Sequence, residues 1–293
     1  MTDAPKPPSL FAAPAIAPGP RYAGPAGGLP GQAALHTGRA VFTEAYAIIP
    51  RGVMRDIVTS RLPGWEGTRA WILARPMTGF AETFAQLIVE VAAGGGSAAP
   101  EPEAHGQAAL FVTEGTVTVN VHGRHERLGP GGFAYVPPWT LWSLKNEGSE
   151  KAVFHWIRKR WLPADGLSPP DFFVADEAGI PPTPMPGTDR WMTTRFMDPD
   201  DLRHDMAVTV VTFEPGGTIP FEETHVMEHG LYVLEGKAVY RLNRDWVEVE
   251  AGDFMWLRAF CPQACYAGGP GRFRYLLYKD VNRHPALDVG GLR

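Results

Sequence analysis

Three glycine pairs recur at one fixed interval in this chain: Gly96 and Gly217, Gly115 and Gly236, and Gly131 and Gly252 are each 121 positions apart. The residues around them repeat too, LFVTEGTVTV lying over LYVLEGKAVY and GPGGFAYVPP over EAGDFMWLRA. Anchors at one spacing with no gap between them mark an internal duplication, so the fold must be assembled from two copies of one unit. Each copy consists of short apolar runs, rich in β-branched and aromatic residues, punctuated by glycine every 8–12 residues or so. That rhythm predicts an all-β sandwich or barrel. Within it, LFVTEGTVTVNVHG reads as two alternating strands around a tight turn at Glu114 and Gly115. The 33 glycines and 29 prolines favour turns over long helices.

The 293 residues divide accordingly. Residues 1–35 are rich in Pro, Ala and Gly and read as a flexible arm. Residues 36–160 form the first copy, and a proline-rich linker follows over 161–205, with a short helix near Asp198–Leu202. Residues 206–285 form the second copy and 286–293 a tail. The net charge of −5 gives no electrostatic footprint for nucleic acid or an anionic membrane. No run of 18 apolar residues is present to span a bilayer. The first thirty residues lack the basic start and unbroken apolar stretch of a signal peptide. The two cysteines, Cys261 and Cys265, would sit about 13 Å apart on a strand, too far for a disulfide. A reducing, cytoplasmic setting is expected.

The second copy holds the chemistry. Between Gly217 and Gly236 lie Glu223, His225 and His229, a carboxylate and two imidazoles, the side chains that hold a divalent metal while leaving positions open. On a strand Glu223 and His225 share a face, and His229 keeps their parity if the strand continues. Cys261 and Cys265 share parity with Gln263 and read as small buried hydrophobes. Glu222, Glu228 and Glu235 read as solvated charges or as groups behind the ligands, and His204 and His284 as surface residues.

These spacings resemble the two signature motifs of the cupin superfamily. Gly217, Glu223, His225, His229 and Gly236 fall on the first motif, with Glu and His exchanged. Gly252, Arg258, Phe260, Gln263 and Ala267 fall on the second, which makes Gln263 the fourth ligand position. In the first copy the same slots hold Pro102, Ala104, Ala108 and Trp142, none of them a ligand, while His105 and Glu103 stand one position out of register. Trp142 is expected to fill the space a metal would use.

One equipped copy and one empty copy, with Glu-x-His-x-x-x-His followed by Gln, resemble the (S)-ureidoglycine aminohydrolase family. ETHVMEHGLYVLEG and YLLYKDVNR are close to its sequences, over roughly residues 40–285. The resemblance implies a bicupin of two tandem double-stranded β-helix (jelly-roll) barrels. It implies Mn²⁺ bound by Glu223, His225, His229 and Gln263, and substrate contacted by Glu223, Tyr240, Tyr275 and Lys279. It further implies catalytic duty for Lys279 and Tyr275, and hydrolytic release of ammonia from a small ureido substrate in purine catabolism. A homo-oligomer is expected, with no nucleic-acid or membrane partner. Two other classes use such folds. A metal-dependent dioxygenase more often has a histidine-richer ligand set, and a non-catalytic binding bicupin has no reason to set Tyr and Lys beside the metal.

Overall fold

The computed structural model describes residues 21–31 and 39–284. The expectations for 1–20, 32–35 and 286–293 lie outside the described residues. Two strands open the chain, β1 (Val41–Phe42) and β2 (Tyr46–Ile49). The first copy follows with β3 (Trp65–Ala74), β4 (Phe84–Ser97), β5 (Gly106–Glu114), β6 (Val117–Val121), β7 (Arg124–Leu128), β8 (Gly132–Val136), β9 (Trp142–Lys145), β10 (Ala152–Arg160) and β11 (Phe173–Asp176). Then come β12 (Thr183–Pro184), β13 (Trp191–Arg195), β14 (Ala207–Phe213), β15 (Thr218–Glu223), β16 (His229–Glu235), β17 (Lys237–Leu242), β18 (Asp245–Glu250), β19 (Phe254–Leu257), β20 (Gln263–Tyr266) and β21 (Phe273–Lys279). Among the described residues the only helical turns are three short 3₁₀ segments, as the glycine and proline content predicts.

The first barrel is one sheet folded on itself, in the order β11-β8-β5-β10-β4-β9-β6-β7 with β3 beside β4. The long β4 passes through Gly94–Gly96 to pair first with β10 and then with β9, so it serves both layers. The second barrel sets an eight-stranded layer, β1-β2-β19-β16-β21-β14-β13-β12, against a four-stranded one, β15-β20-β17-β18. Each barrel has its own interior, around Leu110, Val119, Phe154 and Trp156 in the first and Leu231, Val233, Tyr240 and Tyr275 in the second.

A third core lies between the barrels, where Phe84, Ile88, Phe111 and Phe133 meet Tyr232, Leu234, Trp256 and Tyr278. Strands β16 and β21 are therefore apolar on both faces. Leu231 and Val233 turn into the second barrel while Tyr232 and Leu234 turn toward the first. This explains why LYVLEG and YLLY run on without polar interruption. Burial of each such side chain contributes roughly 1.5–3 kcal/mol. Gly230 sits at the closest approach, where a Cβ would stand 2.5 Å from the Gln86 amide oxygen.

The repeat survives in three dimensions. Gly115 and Gly236 have φ of 67° and 76°, and a Cβ on either would collide with the carbonyl of Lys151 or Arg272. The glycine slot of the second motif holds Trp139 and Phe260, which keep its left-handed φ of 58° and 65°. Their amides donate to equivalent carbonyls, Ala104 at 2.6 Å and His225 at 2.7 Å.

The structure corrects several expectations. β5 and β6 are not a hairpin: β5 pairs β10 and β8, β6 pairs β7 and β9, and the Gly115 turn crosses between layers. Residues 41–49, assigned to the first copy, extend the second barrel's sheet through β2 on β19. The stretch 161–205 is no bare linker, since β11 joins the first barrel and β12 and β13 join the second. Asp198–Leu202 forms turns rather than a helix. His204 is buried against Tyr135 and Phe173. Residues 21–31 of the arm lie on the body, where buried Tyr22 donates to Glu177 at 2.7 Å and Ala23 N–H to Leu234.

His155 is buried between the barrels, 4.4 Å ring to ring from Tyr232. Burial pushes its imidazole down to about 3. Between that value and the ordinary 6.5 the unfolded chain binds a proton that the folded chain refuses. Stability therefore falls as pH drops below 6.5, by about 1.4 kcal/mol per pH unit. Urea titrations of a His155→Phe variant from pH 7 to 4 should show this share of the slope removed; an unchanged slope refutes the assignment.

Candidate metal centre

Glu223 ends β15 and His229 begins β16, so the strand expected to carry all three ligands stops after the first of them. Residues 224–228 cross from the four-stranded layer to the eight-stranded one, and His225 lies on that crossing. The loop before β20 holds it in place: Phe260 N–H donates to the His225 carbonyl and the Thr224 hydroxyl donates to the Phe260 carbonyl at 3.0 Å. Gln263 opens β20 directly opposite Glu223. Two donors thus come from one layer, one from the facing layer, and one from the loop between them.

The donors converge. His225 Nε2 lies 3.3 Å from His229 Nε2, 3.1 Å from the Gln263 amide nitrogen and 3.9 Å from Glu223 Oε2. Ligands about 2.1 Å from one ion and at right angles stand about 3 Å from each other, so the imidazole and amide spacings suit adjacent coordination positions. A half-turn of the Gln263 amide presents its oxygen at the same point. The Glu223 carboxylate stands slightly back. Among the described residues no three of His, Cys, Asp and Glu make a cage by themselves; the set requires the amide.

Electrostatics favour the ligand forms of both imidazoles. Burial drives His229 well below the ordinary value and His225 below it, and the nearby Lys279 ammonium acts the same way. Both rings are then neutral, as coordination requires. His229 Nδ1 is 3.1 Å from the Glu228 carbonyl. A proton on Nδ1 donates there and leaves the Nε2 lone pair facing the site. Burial raises the Glu223 carboxyl, with Lys279 opposing. The donor set, one carboxylate, two neutral imidazoles and an amide oxygen, is chemically suited to a hard or borderline divalent ion.

Lys279 is the cross-strand neighbour of His229. Burial lowers its ammonium, Glu223 raises it and Arg195 adds to the lowering. Asp280 does not pair with it, because its carboxylate faces away and accepts the Glu228 N–H at 2.7 Å. Deeper in the barrel, Tyr240 and Tyr275 are buried with rings edge-on at 6.4 Å. Burial raises both phenols, with contributions from Cys265. Cys265 is the cross-strand partner of Tyr240, and it and Cys261 are free buried thiols in the barrel core. Glu228 thus takes the second of its two sequence readings, a group behind the ligands, whereas Asp280 was not singled out. Only their position next to His229 and Lys279 hinted at them.

The first barrel gathers no such set. Trp142 fills its interior against Trp156, ring centroids 6.2 Å apart, and His105 packs edge-on to Trp139. Two β-barrels from one duplicated unit, only the second lined with these donors, define a bicupin with a single equipped barrel. The Cupin domain family matches residues 87–158 and 209–278. Two curated relatives are similar over most of their length. The (S)-ureidoglycine aminohydrolase of Escherichia coli strain K12 is 31% identical, covering 80% of this chain and 88% of its own. That of Arabidopsis thaliana is 32% identical, covering 84% and 79%. A Pseudomonas aeruginosa structure described as a glyoxylate-induced protein is 61% identical with a TM-score of 0.85, covering 92% of this chain and 98% of that one. The chain belongs to the (S)-ureidoglycine aminohydrolase family of bicupins. Among the described residues no helix is long and apolar enough to cross a membrane.

Proposed function

We propose that this protein hydrolyses (S)-ureidoglycine to (S)-ureidoglycolate and ammonia at a Mn²⁺ ion held in the C-terminal barrel by Glu223, His225, His229 and Gln263. The observation that carries the proposal is the convergence of those four donors in the second barrel. The mixed oxygen and nitrogen set suits manganese better than a thiolate-seeking metal. When bound, the ion supplies a Lewis acid that fixes the substrate and offsets charge developing at the reacting carbon.

The remaining steps fall to the chain. Replacing the amine by water requires one proton to leave the water and one to reach the departing amine. Lys279, half-buried near Glu223 with its ammonium lowered, is the group suited to carry that proton between them. Tyr275, its phenol raised by burial, stays protonated and donates a hydrogen bond to the substrate. Tyr240 backs Tyr275, its ring edge-on at 6.4 Å, and is the second phenol assigned to the substrate. The unpaired thiols suit a reducing cytoplasm.

The test is direct. Mn²⁺-loaded protein is mixed with freshly generated (S)-ureidoglycine and ammonia release is followed. Acceleration over the spontaneous reaction is expected, and no acceleration sinks the proposal. Oxygen uptake with an aromatic substrate would instead favour the dioxygenase class.

A further inference from the structure

The Glu228 side chain turns away from the metal centre toward the first barrel. It is 5% exposed, and a carboxylate so buried costs several kcal/mol unless its lone pairs are filled. Four donors fill them: Glu82 N–H at 3.0 Å, Thr83 N–H at 3.2 Å, the Thr83 hydroxyl at 2.6 Å and the Trp256 indole N–H at 2.7 Å. Three of the four belong to the first copy, in the turn just before its longest strand.

The backbone of the same residue faces the site. Its carbonyl accepts from His229 Nδ1 and, at 3.3 Å, from the Asp280 N–H, while its own N–H donates to the Asp280 carboxylate. Asp280 directly follows Lys279. One residue therefore joins the first barrel to the ring of a metal ligand and to the end of the strand bearing Lys279.

We propose that Glu228 is a positioning residue through which the ligand-free first barrel sets the orientation and tautomer of His229 and the placement of Lys279. The empty copy thus takes part in the site without contributing a ligand. This rests on the metal reading given above. Partners behind a ligand typically govern metal affinity by 10–100-fold.

Three variants test it: Glu228→Gln, Thr83→Val in the first barrel, and Tyr22→Phe as a control. Tyr22→Phe cuts the Tyr22–Glu177 bond elsewhere on the body, away from the site. Metal-stripped proteins are titrated with Mn²⁺ and free ion is read by electron paramagnetic resonance, with melting temperatures recorded in parallel. Glu228→Gln should weaken Mn²⁺ binding at least tenfold and Thr83→Val severalfold. Tyr22→Phe should keep wild-type affinity even at an equal loss of melting temperature. Nitrogen-15 spectra of the metal-free proteins supply a second readout. His229 should be the Nδ1–H tautomer in the wild type and a mixture in Glu228→Gln. Should Glu228→Gln fail to fold, Thr83→Val decides by the same two readouts. A wild type that binds no Mn²⁺ overturns the metal reading. A His229 tautomer unchanged in both site variants, or Mn²⁺ affinity that merely follows melting temperature, overturns the role of Glu228.

Discussion

His229→Ala should abolish Mn²⁺ retention and lower kcat/KM by about 10³-fold or more. His229 brings the eight-stranded layer's donor to the site, and its Nε2 lies 3.3 Å from that of His225. Without it, only Glu223 and Gln263 from one layer and His225 from the connecting loop remain, and an ion bound there would be poorly enclosed. Loss of a Lewis acid forfeits several kcal/mol of charge stabilisation, at about 1.4 kcal/mol per tenfold in rate. The fold should survive, because the barrel's apolar interior does not depend on the imidazole. Metal analysis, steady-state kinetics and circular dichroism of the purified variant check the three parts. A variant that keeps full metal content and activity would falsify the assignment of the site.

Lys279→Met should leave metal content intact and lower kcat by about 10²–10⁴-fold, the range for removing a positioned acid–base group. Methionine keeps the apolar stem and deletes the ammonium that opposes the rise in the Glu223 carboxyl and disfavours protonation of both histidines. Glu223 should then protonate more readily in the metal-free protein, which raises the lower end of the pH range over which Mn²⁺ binds. Measuring kcat and KM separately distinguishes the roles. A KM raised alone with kcat unchanged would make Lys279 a binding group for the substrate carboxylate and remove it from proton transfer.

Much of this was legible in the residues. The 121-residue offset exposed the duplication, and the resemblance of Gly252–Ala267 to the second cupin motif then singled out Gln263, because motif spacing follows the barrel's turns and those recur in both copies. The ligand letters Glu223, His225 and His229 stood out because neutral packing has no use for three such groups so close together. The outlying strand pairings did not stand out. β2 pairs with β19 and β11 with β8 across long stretches of chain, and such pairings leave no periodic mark on either segment. The false hairpin at Gly115 has the same source, since glycine signals a turn but not the layer to which the chain returns. Glu228 kept two readings, a solvated charge or a group behind the ligands, for another reason. Its partners at Glu82 and Thr83 are mainly backbone amides, which no sequence pattern advertises.

The pairing of β2 with β19 also bears on how the protein is made. Tyr46–Ile49 must find Phe254–Leu257, roughly two hundred positions later in the chain. On the ribosome the early strand emerges long before its partner exists, and β1 and β2 wait unpaired with the second barrel until β19 has been made. Such a high contact order slows closure and leaves an apolar edge open in the interval. The two copies are thus not separable modules: cutting the chain between them would strip the second barrel of β1 and β2, which precede the first copy.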